Sequence, residues 1–105
     1  MATLRENASI GELQDYVAGV ERERGFANES VLQKCLLLGE EVGELFKAVR
    51  KTAGIGVDPT SAVGNVSDEL ADVLIFVIAI ANRYGVNLEA AVREKDAKSH
   101  NRVWS

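Results

Sequence analysis

Apolar residues recur at intervals of three and four along most of the chain, which is the spacing that one face of an α-helix presents. No stretch alternates apolar and polar residues for long enough to predict a strand. Ser and Asn precede the periodic segments and Gly follows them, as is typical of helix ends. The pattern therefore predicts four helices, running from about Ser9 to Glu23, Glu29 to Thr52, Ser67 to Tyr84, and Asn87 to His100.

Short polar residues before each helix predict its N-cap. Ser9 is followed three residues later by Glu12, which fits a capping box. Either Asn28 or Ser30 is a suitable cap for the second helix, and Ser67 is the expected cap of the third. The chain between the second and third helices, residues 53–66, contains the single proline and three glycines and is therefore the predicted main loop.

Residues 73–81 form the longest uninterrupted apolar run and lie within the third predicted helix. A membrane span needs about 20 such residues, so the run predicts a buried helix. A helix that is apolar nearly all round needs more cover than one layer of neighbours supplies. A chain of this size also buries only about 60–65% of its unfolded surface when it folds alone.

These two arguments predict an all-α fold resembling a four-helix bundle, a single domain over residues 1–105, completed by self-association. The expected assembly is a homodimer or a homotetramer, and a partner chain covers the apolar third helix. Cys35 and Phe46 are expected to lie in the core.

Charge and composition exclude several functional classes. The chain has 12 Lys and Arg against 16 Asp and Glu, a net charge of −4, which argues against a nucleic-acid partner. One cysteine excludes an internal disulfide and a cysteine zinc site, and the one histidine, His100, excludes the Glu-x-x-His pairs of a di-iron bundle. The N-terminus has no apolar signal segment. We expect a cytoplasmic protein that binds neither nucleic acid nor membrane.

Acidic residues interrupt the apolar pattern of both central helices: Glu40, Glu41 and Glu44 on the second, Glu69 and Asp72 on the third. Like charges at these spacings repel, and placing them beside a core adds a desolvation cost of about several kcal/mol per ion. Two facing helices with such pairs place four carboxylates around one point, an oxygen cage that suits Mg²⁺ or Mn²⁺. A solvated acidic face is the alternative, but two clusters inside apolar helices favour a metal site.

The acidic clusters and their neighbours resemble the signature of a known family. The segments GEEVGEL and DELADVL are similar to the EExxE…ExxD motif of the MazG-like all-α nucleoside triphosphate pyrophosphohydrolases. That superfamily also includes the dimeric dUTPases, the dCTP pyrophosphatases and the phosphoribosyl-ATP pyrophosphohydrolases. The resemblance extends over about residues 30–104. The sequence has neither the tandem repeat of the longer family members nor a recognisable motif that selects a base.

The resemblance implies hydrolysis of a nucleoside triphosphate between the α- and β-phosphates, which yields a monophosphate and pyrophosphate. It implies the Mg²⁺ ligands Glu41, Glu44, Glu69 and Asp72, with Mn²⁺ as a possible substitute. Glu40 and Glu41 are the candidate catalytic residues. Three roles stay open for Glu40: it accepts the proton of the attacking water, it orients a metal ligand, or it lies in solvent.

Residues near the chain end are the candidates for substrate binding. The ending is similar to the Lys…Asn…Arg stretch of many family members, which implies that Lys98 and Arg102 contact phosphates with Asn101 as a polar partner. Lys95 is a lesser candidate. The alternative is that these basic residues bind no phosphate and only complement the negative C-terminal end of the fourth helix dipole. Phe26, in the turn between the first two helices, is the candidate platform for the base.

Three functional hypotheses remain open at this point. The first is a Mg²⁺-dependent pyrophosphohydrolase of (d)NTPs, which removes non-standard or surplus nucleotides. The second is an enzyme resembling phosphoribosyl-ATP pyrophosphohydrolase, and the third is a non-catalytic helical dimerisation or regulatory module. The complete carboxylate set favours an enzyme, because a scaffold without chemistry has no use for it.

Overall fold

The structure is a computed structural model that describes residues 2–56 and 64–100 of the chain. This part contains four α-helices and no strand, which confirms the all-α fold. The helices are α1 (Ile10–Arg24), α2 (Val31–Thr52), α3 (Val66–Arg83) and α4 (Leu88–His100).

Reciprocal capping boxes begin the first two helices. The Ser9 hydroxyl accepts from the backbone N–H of Glu12 (3.1 Å), and the Glu12 carboxylate accepts from the backbone N–H of Ser9 (3.2 Å). Ser30 and Gln33 repeat this arrangement at 3.1 and 2.7 Å. The prediction of Ser9 is confirmed, and of the two candidates for α2 the cap is Ser30.

Asn65 occupies the capping position of α3, so the prediction of Ser67 was wrong. The helix begins at Val66, and the Asn65 side-chain oxygen accepts from the backbone N–H of Asp68 (2.8 Å). It also accepts from the Ser67 hydroxyl (2.9 Å). The side chain just before the first helical residue reaches the third N–H of the helix, whereas Ser67 is already inside the first turn.

Glycines end α2 and α3 as the sequence predicts. Gly54 and Gly85 adopt left-handed φ angles of 72° and 66°, which disfavour residues with a β-carbon. The chain then folds back on the last helical turn: the N–H of Ile55 donates to the carbonyl of Arg50 at 3.0 Å.

The chain divides into two compact units. One contains the segments Met1–Asn28 and Ala81–Ser105, which include α1, α4 and the last residues of α3. The other is Glu29–Ile80, which contains α2 and most of α3. The prediction of a single domain stays a prediction.

In the first unit, α1 packs against α4, and the buried side chain of Gln14 joins α1 to the turn between α3 and α4. Its amide nitrogen donates to Asn82 Oδ1 (3.1 Å) and to the carbonyl of Val86 (2.8 Å). Its oxygen accepts from the backbone N–H of Leu88 (3.0 Å). Asn82 Nδ2 donates back to the Gln14 carbonyl (2.9 Å). The whole buried amide is therefore satisfied, as a buried polar group requires.

A buried ion pair closes the turn after α1. The Arg83 guanidinium donates to both carboxylate oxygens of Glu21, at 3.0 and 2.6 Å, and to the carbonyl of Phe26 at 3.0 Å. The bidentate geometry satisfies both buried charges and holds the turn against the end of α3.

In the second unit, Ala48 of α2 and Ile78 and Ala79 of α3 are buried. The ammonium group of the buried Lys34 lies 2.9 Å from a Glu29 oxygen and 5.7 Å from the centre of the Phe76 ring. Contacts between Lys34 and Phe76 therefore join α2 to α3.

Two core predictions were wrong for the single chain. Cys35 and Phe46 are both exposed on α2. They lie on a face of the helix that nothing within the described chain covers. No described helix combines the length and the hydropathy that crossing a bilayer requires.

Replacing Gln14 with Ala tests the buried amide. The substitution removes the partners of Asn82 Oδ1, the Val86 carbonyl and the Leu88 N–H, so we expect the free energy of unfolding to fall by about 2–3 kcal/mol. Urea unfolding at one fixed protein concentration measures this. Asp15→Ala, at the exposed neighbouring position, is the control and changes it by less than about 0.5 kcal/mol. Equal effects of both substitutions would contradict the role of Gln14.

Candidate metal centre

Three carboxylates from two helices meet in the second unit. Glu41 projects from α2, and Glu69 and Asp72 project from α3, where their i,i+3 spacing places them on one face. One oxygen of each lies within 4.8 Å of an oxygen of the other two. This carboxylate triad is a cluster that could hold a metal ion, and its members come from both acidic segments found in the sequence.

The triad has a buried side and an open side. Glu41 and Glu69 are half-buried, whereas Asp72 is exposed. Within the Glu69 carboxylate, Oε2 is buried and has no hydrogen-bond partner among the described residues. A buried carboxylate oxygen without a partner is unfavourable in a protein, and a bound cation is one way to satisfy it.

No described Lys, Arg or His forms an ion pair with any member of the triad. The pKa of Glu41 lies above its usual range, and burial of the carboxyl is the largest cause. A hydrogen bond that the protonated Glu41 donates to Glu69 also raises this pKa. The negative charges of the neighbouring carboxylates, Asp72, Glu69 and Glu44, raise it further. The described residues thus concentrate negative charge here without supplying a positive group that pairs with it.

This arrangement fits a divalent cation. Carboxylate oxygens are the ligands of hard cations such as Mg²⁺ and Mn²⁺, and one or two carboxylates commonly leave the remaining positions to water and phosphate. A cation among these oxygens would satisfy Glu69 Oε2 and offset the repulsion. The exposed Asp72 leaves the site accessible to a ligand from solvent.

Two acidic residues predicted for the site lie outside the triad. Glu44 is half-buried, and one of its carboxylate oxygens lies 3.5 Å from the Lys47 ammonium nitrogen. Its charge still raises the pKa of Glu41, so it lies near the cluster. Glu40 is exposed.

The residues predicted to bind substrate belong to the first unit. Lys95 and Lys98 are exposed on α4, and the Phe26 side chain is exposed after α1. Asn101 and Arg102 lie outside the described residues.

The sequence interpretation did not single out Lys34. This buried cation lies seven residues before Glu41, on the same face of α2, and the Phe76 ring beneath it is four residues after Asp72. In the sequence Lys34 is a single Lys on an apolar helix face, and the pattern alone does not show whether such a side chain is buried or exposed to solvent.

Comparisons with known proteins agree with this geometry. The family model of the MazG nucleotide pyrophosphohydrolase domain matches residues 26–104, more than half of the chain. The crystal structure of iMazG from Vibrio DAT 722 is similar, with a TM-score of 0.69 and 36% sequence identity. The match covers 89% of this chain and 99% of that one. A search of curated proteins gives no match.

The four-helix fold is that of an all-α nucleotide pyrophosphohydrolase, a family that generally uses a divalent metal. The chain belongs to the MazG nucleotide pyrophosphohydrolase family.

Neutralising one member of the triad should stabilise the metal-free protein. Glu69→Gln removes a charge from a cluster that has no counter-ion among the residues the structure describes, and its amide can donate to Glu41, so we expect a gain of about 0.5–1 kcal/mol in EDTA. Thermal and urea unfolding measure this. Glu94→Gln, an exposed position on α4, is the control and should have no effect. A less stable Glu69→Gln protein would show that the carboxylate has a partner of its own.

Proposed function

We propose that the protein is a Mg²⁺-dependent nucleoside triphosphate pyrophosphohydrolase that cleaves a (d)NTP between the α- and β-phosphates. The observation that carries the proposal is the carboxylate triad, with its buried Glu69 oxygen that lacks a partner. Membership of the family supports the reaction class. The oxygen donor set supports Mg²⁺ and allows Mn²⁺ as a substitute.

Glu41, Glu69 and Asp72 would hold the cation, and Glu44 would complete the set from the same side of α2. When bound, the cation neutralises phosphate oxygens and lowers the pKa of a water. The water oxygen bonds to phosphorus, the bridging P–O bond breaks, and the products are a nucleoside monophosphate and pyrophosphate. The exposed Glu40, one residue before Glu41, would take the proton of that water or orient a ligand, and solvent exposure alone is the alternative.

A triphosphate carries several negative charges, and the chain has a net charge of −4, so binding needs local cations. We assign the phosphate contacts to Lys98 and Arg102, with Asn101 as a polar partner and Lys95 as a further contact. Phe26 is the proposed platform for the base. The support for these roles is the similarity of the chain end to the family pattern, together with the exposure of Lys95, Lys98 and Phe26.

The proposed role is removal of non-standard or surplus nucleotides in the cytoplasm. Phosphoribosyl-ATP is the alternative substrate, since it presents the same α–β linkage to a metal. A non-catalytic module is disfavoured because the triad is complete and no described positive side chain pairs with it.

Self-association would cover the apolar face of α2. Leu32, Leu36, Gly39, Gly43 and Phe46 follow one another at intervals of three and four and so lie on one face, and all are exposed. A β-carbon at either glycine would meet nothing within 4 Å. Three large apolar residues of α3 are exposed as well: Leu70, Leu74 and Ile75. Apolar surface of this extent is typical of an interface, and we propose a homodimer or homotetramer.

The activity is tested with purified protein, Mg²⁺ and a panel of (d)NTPs and phosphoribosyl-ATP. We expect release of pyrophosphate rather than orthophosphate, with loss of turnover in EDTA and recovery in Mn²⁺. Glu41→Gln and Asp72→Asn should lower kcat at least about 100-fold, because each removes a ligand that carries transition-state charge.

Glu94→Gln is the control for this experiment and should keep the wild-type rate. Circular dichroism should give the same helical signal for all four proteins. Full activity in both triad variants, or undiminished activity in EDTA, would contradict the metal assignment.

The interface is tested with Leu36→Lys, which places a charge on the exposed stripe. Leu36 is 64% exposed in the single chain, and Val92 of α4 is 62% exposed, so Val92→Lys is a matched control. Light scattering after size exclusion should show a smaller assembly only for Leu36→Lys, because burying an unpaired charge is costly. A monomeric wild type, or an unchanged mass for Leu36→Lys, would contradict the proposed interface.

A further inference from the structure

The glycine before α3 lies directly against a member of the triad. A β-carbon at position 64 would overlap Oε1 of Glu69 and would lie 3.2 Å from its Cδ and 3.6 Å from its Cγ. Among the described glycines, Gly64 alone makes room for a triad carboxylate by lacking a side chain. The position of the Glu69 side chain therefore depends on the size of residue 64.

The backbone next to Gly64 is held to the first turn of α3. Asn65 accepts from the backbone N–H of Asp68 through its side-chain oxygen (2.8 Å) and donates to the Asp68 carboxylate (3.0 Å). Its carbonyl accepts from the backbone N–H of Glu69 (3.1 Å). Moving this backbone would break three hydrogen bonds, whereas the carboxylate is the far end of a flexible side chain and has one hydrogen bond to lose, the one from Glu41. An added side chain at position 64 therefore displaces the carboxylate and not the loop.

We propose that Gly64 is a positioning residue of the metal centre: its missing side chain lets the Glu69 carboxylate lie beside the backbone of residue 64 and within reach of Glu41 and Asp72. This inference rests on the proposed function, since it takes the triad to bind a divalent cation. Metal–ligand distances tolerate changes of only about 0.2 Å. Relieving the overlap with a β-carbon moves the carboxylate by about 1 Å, judged by ordinary van der Waals separations.

The test compares Gly64→Ala with Gly56→Ala, which alters the same loop at a position where a β-carbon meets nothing within 4 Å. Electron paramagnetic resonance measures Mn²⁺ binding to each full-length protein without nucleotide. We expect Gly64→Ala to bind Mn²⁺ at least tenfold more weakly than the wild type, and Gly56→Ala to bind it as the wild type does. In EDTA the melting temperatures of the two variants should agree within a few degrees.

A double substitution tests whether Gly64 acts through Glu69. In the Glu69→Gln background the displaced group is no longer a charged ligand, so adding Gly64→Ala should change the residual Mn²⁺ affinity less than twofold. A further tenfold loss in that background would overturn the inference, because Gly64 would then act on something other than Glu69.

The remaining outcomes separate this inference from the proposed function. If the wild type binds no Mn²⁺, the proposed function is wrong, and the inference about Gly64, which rests on it, is wrong as well. If the wild type and Gly64→Ala bind Mn²⁺ equally, the role of Gly64 is overturned and the proposed function stands. A Gly64→Ala protein that loses its helical signal or melts far below Gly56→Ala in EDTA also overturns the inference, since the glycine would then be required for folding.

Discussion

The candidate site depends on repulsion between carboxylates that two packed helices hold together. Glu41 on α2 faces Glu69 and Asp72 on α3, and no described positive side chain pairs with them. In water such groups would separate, but α2 and most of α3 belong to one compact unit, in which the Lys34 ammonium lies over the Phe76 ring, and this packing limits their movement. The fold therefore maintains a concentration of negative charge that is unfavourable without a cation and favourable with one. Natural proteins accept such local costs at functional sites.

Local capping interactions determine where the helices of both units begin. Capping boxes fix where α1 and α2 begin, and Asn65 fixes the first turn of α3 from which Glu69 projects. The cap of α3 and the site are thus linked, because the backbone that starts the helix also sets the space available to the carboxylate. The other unit contains a buried polar group of the opposite kind. Every polar atom of the Gln14 amide has a hydrogen-bond partner, whereas Glu69 Oε2 in the triad has none among the described residues.

Local features were predictable from the sequence because they depend on neighbours along the chain. The box at Ser9 and the pairing of Glu69 with Asp72 on one helical face follow from intervals of three residues. The cap at Asn65 was missed because Asn and Ser are both good caps, and their neighbours along the sequence do not decide between them.

Non-local features were not predictable in the same way. Glu41 and Glu44 are three residues apart on α2, and the packing of α2 against α3 decides that Glu41 joins the triad and Glu44 does not. The exposure of Phe46 depends on what covers α2, which periodicity does not reveal. The closeness of Gly64 to Glu69 depends on how the backbone enters α3, which the spacing of residues along the sequence does not reveal.

The most direct test of the central claim is anomalous diffraction from crystals of the wild-type protein grown or soaked with Mn²⁺. The account predicts an anomalous peak between Glu41, Glu69 and Asp72, with carboxylate oxygens about 2 Å from the ion. A structure with Mn²⁺ bound elsewhere, or with the three carboxylates paired to positive side chains and no ion between them, would contradict it.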